Sequence, residues 1–96
     1  MENYIYKKIS SPNSLRLQGT GNKITSLIIT NTTESEIIVS IYLSKTSELY
    51  HISKSIRIIG NESLNVFQNG YSFDSGYTFN ITLESGSADI LLTLNQ

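Results

Sequence analysis

The chain has no cysteine and no tryptophan, and only one proline, one histidine and one methionine in 96 residues. Without cysteine there is no disulfide framework and no thiolate metal site. A single histidine, His51, excludes a multi-histidine metal centre. Charge is scarce as well. Charged residues make up 16% of the chain and the net charge is −1, against about 25% charged residues in a typical soluble domain. So neutral a chain lacks the basic stripe that holds nucleic acid or an anionic membrane surface, and neither partner is expected. No apolar run approaches the ~18 residues of a membrane span. The opening stretch MENYIYKKIS has an acid at position 2 and no apolar core of leader length, so synthesis in a cytoplasm without processing is expected.

What remains is a single domain, residues 1–96, long enough to close one core but with a thin margin of stability. A compact core or a partner chain has to supply that margin. Polarity comes from Ser, Thr and Asn rather than from charge, and a surface of this kind adheres more readily than it repels. Fourteen isoleucines stand against two valines, a bias that points to AT-rich coding and not to function.

The dominant period is two. In EIIVSIYLS, Ile37, Val39, Ile41 and Leu43 share one face, while Ile38, Ser40, Tyr42 and Ser44 share the other. YTFNITLES and ADILLTLNQ alternate in the same way. Such alternation is the mark of strands with one buried face, and the Ile, Tyr, Thr and Phe content agrees. Turn residues cut the chain at short intervals. The pattern predicts strands near 3–9, 14–18, 23–31, 36–44, 48–53, 55–59, 63–67, 71–73, 77–84 and 88–95, some of them merging. No segment carries a helical stripe, and no connection is long enough for a crossover helix. The expected fold is an all-β, antiparallel β-sandwich, jelly-roll or Ig-like, of seven to ten short strands. Its core should hold Leu27, Ile37, Val39, Ile41, Leu43, Ile58, Leu64, Phe79, Ile81, Leu83, Ile90, Leu92 and Leu94.

Candidate chemistry is sparse. His51 reads as a surface or edge-strand residue. The acids are scattered and suggest no facing pair of the kind a glycosidase needs. Asp74-Ser75-Gly76 reads as a turn rather than a calcium loop, which needs more oxygen ligands nearby. Gly19-Thr20-Gly21-Asn22 lacks the Lys-Ser/Thr and helix of a phosphate loop. Sequons at Asn31, Asn61 and Asn80 are what an Asn-, Ser- and Thr-rich chain produces by chance. No catalytic, cofactor-binding or metal-binding residue is assigned, and no enzymatic activity is expected. Six tyrosines could stack on sugars, but core and interface positions suit tyrosine better, and Tyr77 falls on the buried face of its strand.

Apolar residues on the wrong face say more. Ile38 and Tyr42 lie on the polar side of β-period EIIVSIYLS, Leu91 does so in DILLTL, and Ile59 in SIRIIG. Ile28 and Ile29 cannot both face one core layer. Tyr4 and Tyr6 sit in an N-terminal strand, NYIYKKI, that could pair edge to edge with a neighbour. Joined into a patch, such residues make an interface. Ile38, Tyr42, Ile59, Leu91, Tyr4 and Tyr6 are therefore the candidate contact residues.

Four phrases in order, KITSLIITNTTESEIIVSIYLS, LYHISKSIRIIGNESLNV, YSFDSGYTFNITL and SADILLTL, resemble a family of small virion proteins of tailed bacteriophages, including cyanophage-type phages. The matching positions are Ile5-Tyr6, Thr30-Asn31-Thr32, Val39 to Leu43, Ile58 to Leu64 and Phe73 to Phe79, so the resemblance covers nearly the whole chain. Ile59 departs from the family's proline, and Tyr77 from its acidic residue after glycine. The resemblance implies a structural virion protein that forms homo-oligomers, often trimers. Its place would be on the particle as a capsid decoration or cement protein bound to the major capsid protein or another virion protein. A neck, tail or fibre component is the alternative, as is a carbohydrate- or cell-surface-binding β-sandwich module. Nothing in it implies a cofactor.

Overall fold

β-branched and aromatic side chains alternating with Ser, Thr and Asn have one low-energy arrangement: an extended strand whose apolar face is dry. The computed structural model describes residues 2–11, 13–18, 23–67, 70–72 and 76–95. Among these residues there are nine strands and no helix. They are β1 (Glu2–Ser10), β2 (Ser14–Gln18), β3 (Lys23–Asn31), β4 (Ile37–Lys45), β5 (Glu48–Ile58), β6 (Ser63–Asn65), β7 (Tyr71–Ser72), β8 (Thr78–Leu83) and β9 (Ser87–Asn95).

Two antiparallel sheets pack face to face. One has the order β1-β9-β3-β6, with β7 also on β3, and the other the order β2-β8-β4-β5. The partners are nested: first strand with last, second with eighth, third with the interrupted β6/β7 strand, fourth with fifth. A long antiparallel hairpin rolled over on itself makes this order, which is the jelly roll. Of the two sandwich types expected, the immunoglobulin type is the one excluded.

The core lies between the sheets. Ile24, Leu27, Ile29, Ile90, Leu92 and Leu94 line it on one side, and Leu15, Ile37, Val39, Ile41, Phe79, Ile81 and Leu83 on the other, all buried. Two expected core residues, Leu43 and Leu64, are half-buried and pack against the rest. Leu64 sits on a three-residue edge strand, and Leu43 pairs with Tyr50 on the edge strand β5. Ile9, Leu15, Ile24, Ile29 and Phe67 extend the core beyond the alternating runs used to predict it, and Ala88, on the inward face of ADILLTLNQ, joins it.

Two strand boundaries differ from expectation. The predicted break at Lys54 is a bulge inside one strand, β5. Ser55 adopts φ 63° there, its N–H reaches Ser40 Oγ at 3.4 Å, and the register slips between Val39 and Ile41 without ending the ladder. The strand predicted over 63–67 stops at Asn65 because Phe67 turns into the core. Its ring stacks on Tyr71 at 5.1 Å and meets Phe79 at 6.1 Å. Backbone pairing still reaches Val66, whose N–H donates to the Leu27 carbonyl at 2.8 Å.

The connections at one end of the sandwich are sewn together. Asn61 N–H donates to the Thr33 carbonyl, Asn31 N–H to that of Glu62, Thr32 N–H to that of Ser87, and Ser11 N–H to that of Gly86. Asn31 anchors this end and is fully buried. Gly60 is needed here because the chain passes so close to the Glu34 backbone that a Cβ would fall on its carbonyl oxygen. Gly60→Ala should therefore shift the 59–62 turn and lower stability by roughly 1–3 kcal/mol. Chemical denaturation checks this, and an unchanged midpoint would show that the turn yields freely.

Candidate binding surfaces

The strand period sets which residues the outer faces carry. On the β1 sheet the cross-strand register aligns Tyr6, Leu91, Ile28 and Asn65 in one row over four strands. One row along, Tyr4 faces Thr93 and Ser26, and its ring lies 6.4 Å from that of Tyr6. Tyr6 is 71% exposed, Tyr4 58% and Leu91 40%. The other side of the row is polar and internally satisfied. Lys8 Nζ lies 3.1 Å from Asp89 Oδ1, Thr30 and Ser63 share a 2.7 Å hydroxyl contact, and so do Ser10 and Ser87 at 3.0 Å. The surface thus has an apolar centre and a polar rim, which is how protein interfaces are built. A depression of about 240 Å³ beside it is lined by Tyr6, Lys7, Lys8, Asp89, Ile90 and Leu91.

The other outer face differs. Tyr42 is half-buried between its cross-strand neighbours Asn80 and His51, with the His51 ring 5.5 Å away. Ile38, also half-buried, faces Arg57, whose guanidinium is 2.8 Å from Glu36. Asn80 is buried and donates to Ser44 Oγ at 3.0 Å and to the Thr78 carbonyl at 2.9 Å. Ile59, 62% exposed, sits in the turn after β5, at the sewn end. The six candidate contact residues therefore do not form one patch. Tyr4, Tyr6 and Leu91 come together, Ile38 and Tyr42 look the opposite way, and Ile59 belongs to neither face. Ile28 joins the first group. Its signal was in the sequence, since Ile29 facing the core forces Ile28 outward.

At the far end of the sandwich the turn of the β4–β5 hairpin, Thr46-Ser47, meets the residue before β8. Lys45, Thr46, Glu48, Tyr50 and Tyr77 line a depression of about 230 Å³ there. The Tyr50 and Tyr77 rings are 6.1 Å apart at 60°, and Lys45 Nζ lies 4.9 Å above the Tyr77 ring. Tyr50 donates a hydrogen bond to Glu48 Oε2. That bond, and then the negative charge behind it, hold the Tyr50 phenol above the usual tyrosine range.

His51 is exposed on the edge strand β5, as its setting in the sequence suggests. Asp74 and the Gly19–Asn22 turn lie outside the described residues. Among the described residues, no three of His, Asp and Glu gather as a metal would require. Of the sequon asparagines, Asn31 and Asn80 are buried and hydrogen-bonded, whereas Asn61 is exposed in a turn at φ 64°. No family model, curated protein or solved structure matches the chain.

Proposed function

We propose that this jelly-roll chain is a structural protein of a tailed-phage particle, most simply a capsid decoration protein, and that it works by association rather than by catalysis. The sequence resemblance supports the virion setting. The observation that carries the associating role is the Tyr6–Leu91–Ile28 row with Tyr4 beside it. Large aromatic and aliphatic groups held at one level on a rigid sheet lose little conformational entropy when covered. The occupant is a second copy of the same chain, within a trimer. Lys8 and Asp89, paired with each other within one copy, remain exposed at the edge of the row, so a symmetry-related copy can share the pair there. With a net charge of −1, identical copies repel each other weakly.

One edge of the same sheet, β1, is guarded against open-ended pairing. Lys7 opposes Ile90 and is an exposed charge on the inward-facing side of edge strand β1, a device that discourages a further strand from adding on. Association through the face is thereby favoured over association through the edge.

Sedimentation equilibrium tests the reading. The protein should sediment as a closed oligomer at high micromolar concentration, and Tyr6→Asp should convert it to monomer by forcing an unpaired charge into the contact. Tyr42→Asp, on the opposite face, should leave the oligomer intact. The reverse outcome moves the contact to the β2 sheet, and a strict monomer under all conditions removes the standing oligomer. Incorporation of the purified protein into particles lacking it would test the decoration role directly.

A further inference from the structure

Saccharides are recognised by a combination of groups that this molecule assembles away from its apolar face. A pyranose offers a flat patch of C–H groups and a belt of hydroxyls. It needs an aromatic plate for the first, and both hydrogen-bond acceptors and donors for the second. The depression at the β4–β5 hairpin has these. Tyr50 and Tyr77 meet edge to face at 60° and the Lys45 ammonium lies over the Tyr77 ring, so Tyr50 is the ring more open to a ligand. Tyr50 keeps 47% of its surface exposed. The Glu48 carboxylate has about four acceptor positions, of which the Tyr50 hydroxyl takes one. Lys45 brings an ammonium with three donors, and Thr46 a hydroxyl that can do either.

Three further features fit. Lys45 and Glu48 cancel in charge, which favours an uncharged sugar over an acidic one. The depression, about 230 Å³, has room for roughly seven waters at ~30 Å³ each. That is the scale of one sugar ring and lies below the ~300–1,000 Å³ of drug-sized sites. Finally, the two-residue Thr46-Ser47 loop, with Thr46 at φ 56° as a tight hairpin turn demands, brings Lys45, Thr46 and Glu48 to the same rim of the depression.

From these observations we infer that the Lys45/Thr46/Glu48/Tyr50/Tyr77 depression is a binding site for a single neutral pyranose unit of a glycan. The inference does not depend on the oligomer, because the depression lies at the end of the sandwich and shares no residue with the Tyr6–Leu91–Ile28 row. One copy should bind weakly, in the millimolar range, because an open site covers only part of the sugar. Several sites on one assembly would then act together.

The test is an NMR titration of the purified protein with the methyl glycosides of glucose, galactose, mannose and N-acetylglucosamine. At least one should give saturable shifts of the Tyr50 and Tyr77 ring protons while the Tyr4 and Tyr6 rings stay still. Tyr50→Ala removes an exposed side chain and should abolish the shifts with an unchanged melting temperature. Glu48→Gln should weaken binding several-fold. Absence of saturable shifts with all four sugars overturns the site, as do shifts that persist in a folded Tyr50→Ala protein.

Discussion

Ile81→Ala should cost roughly 2–5 kcal/mol, as truncations of fully buried aliphatic side chains do. Ile81 has no exposed surface. It stands at the centre of one sheet's inner face, opposite Leu15 on one side and Ile41 on the other. Neither neighbour can collapse into the gap without leaving its own strand register, so most of the cavity persists. In a domain of this size each kcal/mol moves the melting temperature by about 4–8 °C, and the expected fall is at least ~8 °C. Ile41→Ala should behave alike, and the double variant should fall short of the sum because the two side chains share one cavity wall. Melting temperatures within a few degrees of wild type for both single variants would mean that the wrong face of β4 and β8 has been placed inward.

The second large effect is expected at a polar residue. Asn31 uses its whole amide. Its Nδ2 donates to the carbonyls of Ser35 and Ile58 at 2.8 and 3.0 Å. Its Oδ1 accepts from the Thr33 N–H at 2.9 Å and from the Thr33 hydroxyl at 2.6 Å. Asn31→Leu keeps the branched shape at a somewhat larger volume and deletes all four bonds. A buried group left without a partner costs about 1–3 kcal/mol; the Ile58 carbonyl is buried in full, whereas Ser35 is exposed and Thr33 half-buried, so the total should stay near the cost of the Ile81 truncation, roughly 2–5 kcal/mol. Thr33→Val removes one of the four bonds and should cost about 1 kcal/mol. Urea denaturation of the two variants supplies the comparison. Asn31→Leu within ~0.5 kcal/mol of wild type would show that water replaces the amide and that this end of the sandwich is not held by it.

The two results separate what is local from what is not. The alternation that predicts strands also predicts Ile81, because period two assigns every second residue to one face regardless of where the strand goes. Asn31 had no such signal. In the sequence it is the last residue of the predicted 23–31 strand and a chance sequon. Its importance depends on the chain returning at Ile58, which is 27 residues on. Phe67 was lost for a similar reason: it ends a short strand by turning inward, and only Tyr71 and Phe79 show why.

The contact surface divides in the same way. Each apolar residue facing away from the core could be identified one at a time, since an alternating strand reveals its own exceptions. Whether those residues meet is a property of strand order. Tyr6, Leu91 and Ile28 form a row because β1 and β3 flank β9, an arrangement that brings the first and last strands together. Tyr42, from an equally suggestive stretch, was carried to the opposite sheet. The composition and local period of this chain determine an all-β sandwich, free of disulfides, with its dry faces already assigned. The tertiary structure decides which jelly-roll neighbours each strand receives, and with them the Asn31 anchor, the tyrosine row and the Tyr50–Tyr77 depression. The physical reason is that side-chain alternation is set within a strand by its own backbone geometry, whereas every contact between strands depends on loop closures that no short window of sequence contains.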